Sequence, residues 1–100
     1  MLRIKVIKTN NKIKQITFKG HATYDEYGKD IVCAAASATF LCTANAILSI
    51  NNKSISLTQT KDTNIIDIID DDEITIKLID NMLSCLKSLE QKYPKNIEIK

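Results

Sequence analysis

The chain has 100 residues, 44% of them hydrophobic and 26% charged, and its 14 basic and 12 acidic side chains leave a net charge of +2. That length fits one domain over residues 1–100 with a modest core. The near balance of charge excludes the basic footprint of a nucleic-acid-binding domain, so neither direct nucleic-acid binding nor a membrane partner is expected.

Residues 2–9 place Leu2, Ile4 and Val6 opposite Arg3 and Lys5, the alternation of a half-buried strand. Asn10-Asn11 reads as a turn, because Asn tolerates left-handed backbone angles. Residues 12–19 alternate again, with a slip between Ile13 and Ile16 that a β-bulge would absorb. Residues 20–29 hold both glycines and show no apolar period, so they form a loop longer than the usual connection. Asp30 then has the chemistry of an N-cap for a helix over residues 31–50. That helix is apolar nearly all round, which requires cover on more than one face, from a sheet and from a second helix or a partner subunit. It is the stretch nearest to a membrane span, but its Ser, Thr, Asn and many Ala residues make it a core helix.

Residues 54–60 alternate as a strand, 61–64 turn, and 65–69 return. The acidic cluster Asp70 to Glu73 reads as capping and dipole pairing for the next helix rather than as a metal site. That helix covers residues 72–92, with Leu78, Ile79, Met82, Leu83, Leu86 and Leu89 forming one stripe and Pro94 enforcing its end. Residues 96–99 form a last short strand. The order β-β-α-β-β-α-β implies an α+β fold, a mostly antiparallel sheet of about five strands with two long helices.

Cys33, Cys42 and Cys85 are odd in number and lack C-x-x-C spacing, so neither a disulfide framework nor a zinc site is expected, and no metal or cofactor. Unpaired thiols suit a reducing cytoplasm. Residues 1–5 alternate charged and apolar side chains and show no signal-peptide run. Cys42 and Cys85, inside apolar helices, are expected in the core. Cys33 differs: with Asp30 as cap it falls at the third helical position, where unpaired N–H groups and the helix dipole favour a thiolate. His21, the one histidine, enters the loop after Gly20, whose backbone freedom, with that of Gly28, eases closure of the two side chains onto one sheet edge. A Cys–His pair placed so can carry out nucleophilic acyl transfer, with the N–H of Cys33 or Ala34 as oxyanion donors. Spacing alone is a weak signal and favours a small buried thiol and a surface histidine over a catalytic pair. Ser37 lies one turn beyond Cys33 on the same face. Tyr24 and Tyr27 are candidate walls or lids of a substrate groove, and Asp30 a candidate orienter of the histidine.

The segments Gly20-His21-Ala22 and Tyr27-Gly28-Lys29-Asp30-Ile31-Val32-Cys33-Ala34-Ala35-Ala36-Ser37-Ala38 closely resemble the ribosomal-processing cysteine protease family called Prp. The resemblance extends along the whole chain, and neither catalytic position is altered. It implies a Cys33–His21 dyad, with Ser37 at the motif serine. It also implies a homodimer whose substrate is the N-terminal extension of a ribosomal protein, the twenty-seventh of the large-subunit series, and a glycine-bearing loop that moves on docking. Two other functions compete: a non-catalytic ribosome assembly or binding factor, and a thiol-sensing module using Cys33.

Overall fold

The computed structural model describes residues 1–26 and 30–100. Its elements are β1 (Leu2–Thr9), β2 (Lys12–Lys19), α1 (Ile31–Ile50), β3 (Ile55–Gln59), β4 (Thr63–Ile68), α2 (Glu73–Lys92) and β5 (Ile97–Ile99). Asn10 and Asn11 both take left-handed angles, φ 53° and 64°, and close the first hairpin with Thr9 opposite Lys12. The slip in the pattern is a bulge: Ile7 pairs with Gln15 but Lys8 with Ile13, which leaves Lys14 as the extra residue and returns Ile16 and Phe18 to the face of Ile4. β4 starts at Thr63, two residues earlier than the apolar run suggests, because Asn64 and Thr63 continue the ladder with Phe18 and Lys19.

The sheet order is β3-β4-β2-β1-β5, antiparallel except for β5, which lies parallel to β1. Burial alternates along the strands, so one face carries Leu2, Ile4, Ile16, Phe18, Ile66 and Ile68 into the core. Both helices cover that face and pack against each other. α1 buries Val32, Ala36, Phe40, Ala44 and Ile47, a stripe spaced by four, four, four and three residues. Phe40 meets Phe18 of β2 with ring centroids 5.0 Å apart and planes tilted by 55°. α2 buries Thr75, Ile79, Met82, Leu83 and Leu86. Its cap is Asp72, whose Oδ1 accepts from the Thr75 N–H at 2.8 Å, while Oδ2 accepts from Asn51 Nδ2 at 3.1 Å and so joins the end of α1 to the start of α2. The Thr75 N–H first, then Asn51, hold the Asp72 carboxyl below its ordinary value.

One expectation is corrected. Cys42 and Cys85 are exposed, not core. α1 is apolar around its circumference, so composition carries no phase for Cys42; Cys85 lies just off the stripe of α2. Cover of α1 on more than one face comes from the sheet and from α2, as expected. The inner face is buried, yet Ile31, Leu41 and Ile50 stay 58%, 44% and 58% exposed. α1 is the one helix among the described residues long and apolar enough to cross a membrane, but here it serves as the seat of the core.

Truncating Phe40 to Ala should cost about 3–5 kcal/mol, read as a fall in urea midpoint at constant m-value. A loss below about 1 kcal/mol would mean that something other than this stripe seats α1.

Candidate active site

β2 ends at Lys19, and the chain leaves the sheet through Gly20 at φ +88°. A Cβ there would lie 2.8 Å from the Met1 carbonyl oxygen, so the position needs glycine for both its angle and its space. The Gly20 N–H donates to the Asp62 carbonyl at 2.9 Å. On the other side of His21, Ala22 is fully buried and its carbonyl accepts from Asn96 Nδ2 at 3.0 Å. The imidazole therefore projects from backbone held before and after it, while its own side chain remains 53% exposed. Its Nε2 lies 3.2 Å from Oδ1 of Asp62, in the turn between β3 and β4. Thr23 follows at φ +54°, a strained angle for a β-branched residue, with its hydroxyl donating to the Ala22 carbonyl at 2.7 Å.

Cys33 is the third residue of α1 and packs half-buried against the core. Asp30 caps the helix through Oδ1, which accepts from the Cys33 N–H at 2.9 Å. Its other oxygen, Oδ2, accepts from the Tyr24 N–H at 2.9 Å. One carboxylate thus ties the helix start to the loop that carries the histidine. Partial burial pushes this carboxyl up, but the N–H groups of Cys33, Tyr24, Asp25 and Val32 outweigh it and hold the group below its ordinary value.

His21, Cys33 and Ser37 line two adjoining clefts. One runs between α1 and the start of β4 over an apolar floor of Leu2, Phe18, Ala36 and Phe40, with Lys61, Asp62 and Asn64 at its rim. The other opens beside Thr23, Asp25, Asp30 and Ala34. A thiol and an imidazole on shared clefts that open to either side suit an extended chain crossing the sulfur.

The geometry revises several expectations. The Cys33 and Ala34 N–H groups, expected as oxyanion donors, are both occupied: the first donates to the Asp30 carboxylate and the second to the Asp30 carbonyl at 3.0 Å. Asp30 spends its carboxylate on the helix cap and the loop, and the group at the imidazole is Asp62 instead. The Tyr24 ring stacks edge-on against Tyr93 at 5.2 Å rather than walling either cleft. Ser37 makes no hydrogen bond to the described residues, which leaves its hydroxyl open to the clefts. Tyr27 and Gly28 lie outside the described residues. No group of three or more His, Cys, Asp or Glu side chains among the described residues converges as a metal site would. Asp62 left no signal in the sequence, since nothing in its spacing connects it to His21 before the sheet is assembled.

The family model for cysteine protease Prp matches residues 1–98. A ribosomal processing cysteine protease Prp of Staphylococcus aureus (strain Mu50) is 29% identical over 103 residues, spanning 93% of this chain and 91% of that protein. The crystal structure of an essential ribosomal processing protease Prp from S. aureus with a covalently linked product peptide superposes with a TM-score of 0.93 at 27% identity, covering 100% of this chain and 98% of that one. The S. aureus protease with a substrate peptide superposes with a TM-score of 0.88 at 25% identity over the same shares.

Gly20→Ala should lower stability by more than about 1 kcal/mol, because the substitution meets both a left-handed angle and a backbone carbonyl; an unchanged melting temperature would show that the strand exit relaxes freely. Asp30 has a folded-state value below its unfolded one, so its contribution is present above the unfolded pKa of about 3.9 and fades as pH falls through the folded value. Asp30→Asn should therefore be less stable than wild type at pH 7, with the gap narrowing in urea titrations as the pH falls below the unfolded value. A gap independent of pH would assign the effect to shape rather than charge.

Proposed function

The chain belongs to the Prp family of cysteine proteases, and we propose that it removes the N-terminal extension of the twenty-seventh large-subunit ribosomal protein, with Cys33 as nucleophile and His21 as acid–base partner. The observation that carries this reading is the meeting of His21 and Cys33, from a strand exit and a helix start, on clefts they share. The S. aureus relatives, solved with a substrate peptide and with a covalently linked product peptide, support a peptide as the substrate class.

In this mechanism the Cys33 sulfur attacks the scissile carbonyl carbon as its proton passes to His21. The C–N bond breaks as His21 delivers a proton to the leaving amine. Water then gives a proton to His21 and attacks the thioester, releasing the acid and restoring the thiol–imidazole pair. Asp30 and Gly20 hold the two segments in place, and Ala34 and Ser37 edge the clefts where the peptide would lie.

The chain works as one domain in a reducing cytoplasm, where its three thiols stay unpaired. A homodimer accounts for the apolar strip left open on α1, where Leu41 is 44% exposed beside the exposed Cys42.

Mass spectrometry of the extended ribosomal peptide, incubated with wild type, Cys33→Ala and His21→Ala, tests the assignment. A single cut should appear with wild type, and either substitution should abolish it without changing the circular dichroism spectrum. Undiminished cleavage by Cys33→Ala would remove the thiol from the mechanism.

A further inference from the structure

The β3–β4 turn makes two separate contacts with the segment that displays His21. The Asp62 carbonyl accepts from the Gly20 N–H at 2.9 Å, and the Asp62 carboxylate lies 3.2 Å from His21 Nε2. The first contact docks the turn by backbone alone and survives any change of the Asp62 side chain. The second is the imidazole's one hydrogen bond to the described residues. A carboxylate accepts and does not donate at neutral pH, so this contact requires a proton on Nε2. In the neutral ring the proton can sit on one nitrogen only, and the other is then left with its lone pair.

We propose that Asp62 is a positioning residue for His21: by accepting from Nε2–H it holds the imidazole in the orientation and tautomer that leave Nδ1 to exchange protons with Cys33 and the leaving amine. The inference rests on the protease reading and deepens it. Nδ1 takes the Cys33 proton as the sulfur–carbon bond forms, then returns it to the amine nitrogen as the C–N bond breaks. Nε2–H stays bonded to Asp62 throughout, and the carboxylate never becomes protonated. The function of such a group does not require burial, but its magnitude does. His21 and Asp62 are 53% and 60% exposed, so water screens the contact and competes for it. The effect should be that of an exposed charged pair, far below the roughly ten-thousandfold loss seen when a buried triad carboxylate is changed.

The turn also carries Lys61, which lines the apolar-floored cleft beside Asp62. Position 62 is therefore a place where the substrate itself could be touched, and the test must separate that role from positioning. Asp62→Ala and Asp62→Glu would be compared with wild type by steady-state cleavage of the extended ribosomal peptide and by ¹⁵N NMR of the His21 ring, which reports which nitrogen carries the proton. Positioning predicts that Asp62→Ala lowers kcat about two- to fivefold with KM nearly unchanged. It also predicts a rise in the Nδ1–H fraction, and recovery of both readouts in Asp62→Glu. Equal tautomer populations in wild type and Asp62→Ala would overturn the proposal whatever the rates. A raised KM with an unaltered ring spectrum would likewise overturn it and make Asp62 a substrate contact. The ring spectrum needs no substrate, so it decides the role of Asp62 even if wild type leaves this peptide uncut, an outcome that would count against the protease substrate alone.

Discussion

The stripe Val32, Ala36, Phe40, Ala44 and Ile47 determines where α1 lies, and the place of α1 determines whether there is a site at all. Cys33 has no reason of its own to stand beside the exit of β2. It is brought there because its neighbour Val32 and the residues one, two and three turns further along must leave water, and the surfaces that accept them are the apolar face of the sheet, where Phe40 meets Phe18, and α2. Phe40 against Phe18 sets the depth of that packing.

Once α1 is seated, its start must be joined to the histidine segment with little freedom left between them. Asp30 supplies this by using both carboxylate oxygens, one toward Cys33 and one toward Tyr24. The histidine is restrained from the opposite side by bonds that come from far along the chain: Asp62 to Gly20, and Asn96 to Ala22. His21 and Cys33 are therefore both carried on anchored backbone, the first with its side chain 53% exposed and the second half-buried. This division suits a protease, because the substrate needs access to the side chains while proton transfer needs their separation kept constant.

The occupied N–H groups at Cys33 and Ala34 follow from the same economy of the helix start. A capping carboxylate satisfies one of the unpaired donors, and the first turn of the helix satisfies the next. Strong anchoring of the Cys33 backbone thus leaves two N–H groups already engaged with Asp30. The left-handed angles of Gly20 and Thr23 on either side of the histidine and its buried neighbour belong to the same pattern, in which irregular backbone collects where side chains must be displayed.

By itself the sequence determined what depends on near neighbours. Alternation located the strands, the slip between Ile13 and Ile16 located the bulge at Lys14, and Asp30, Asp72 and Pro94 marked helix ends, because each of these signals acts within a few residues. The Gly-His-Ala and Cys33 segments carried the family resemblance for the same reason. Tertiary structure alone decided what depends on distant residues meeting: the parallel seat of β5 beside β1, the outward phase of Cys42 on a helix apolar all round, and the use of Asp30 as a tie. The approach of Asp62 to His21 belongs there too. Those two residues stand 41 positions apart, and no local preference of either records the other; only the pairing of β2 with β4 carries the turn to the histidine.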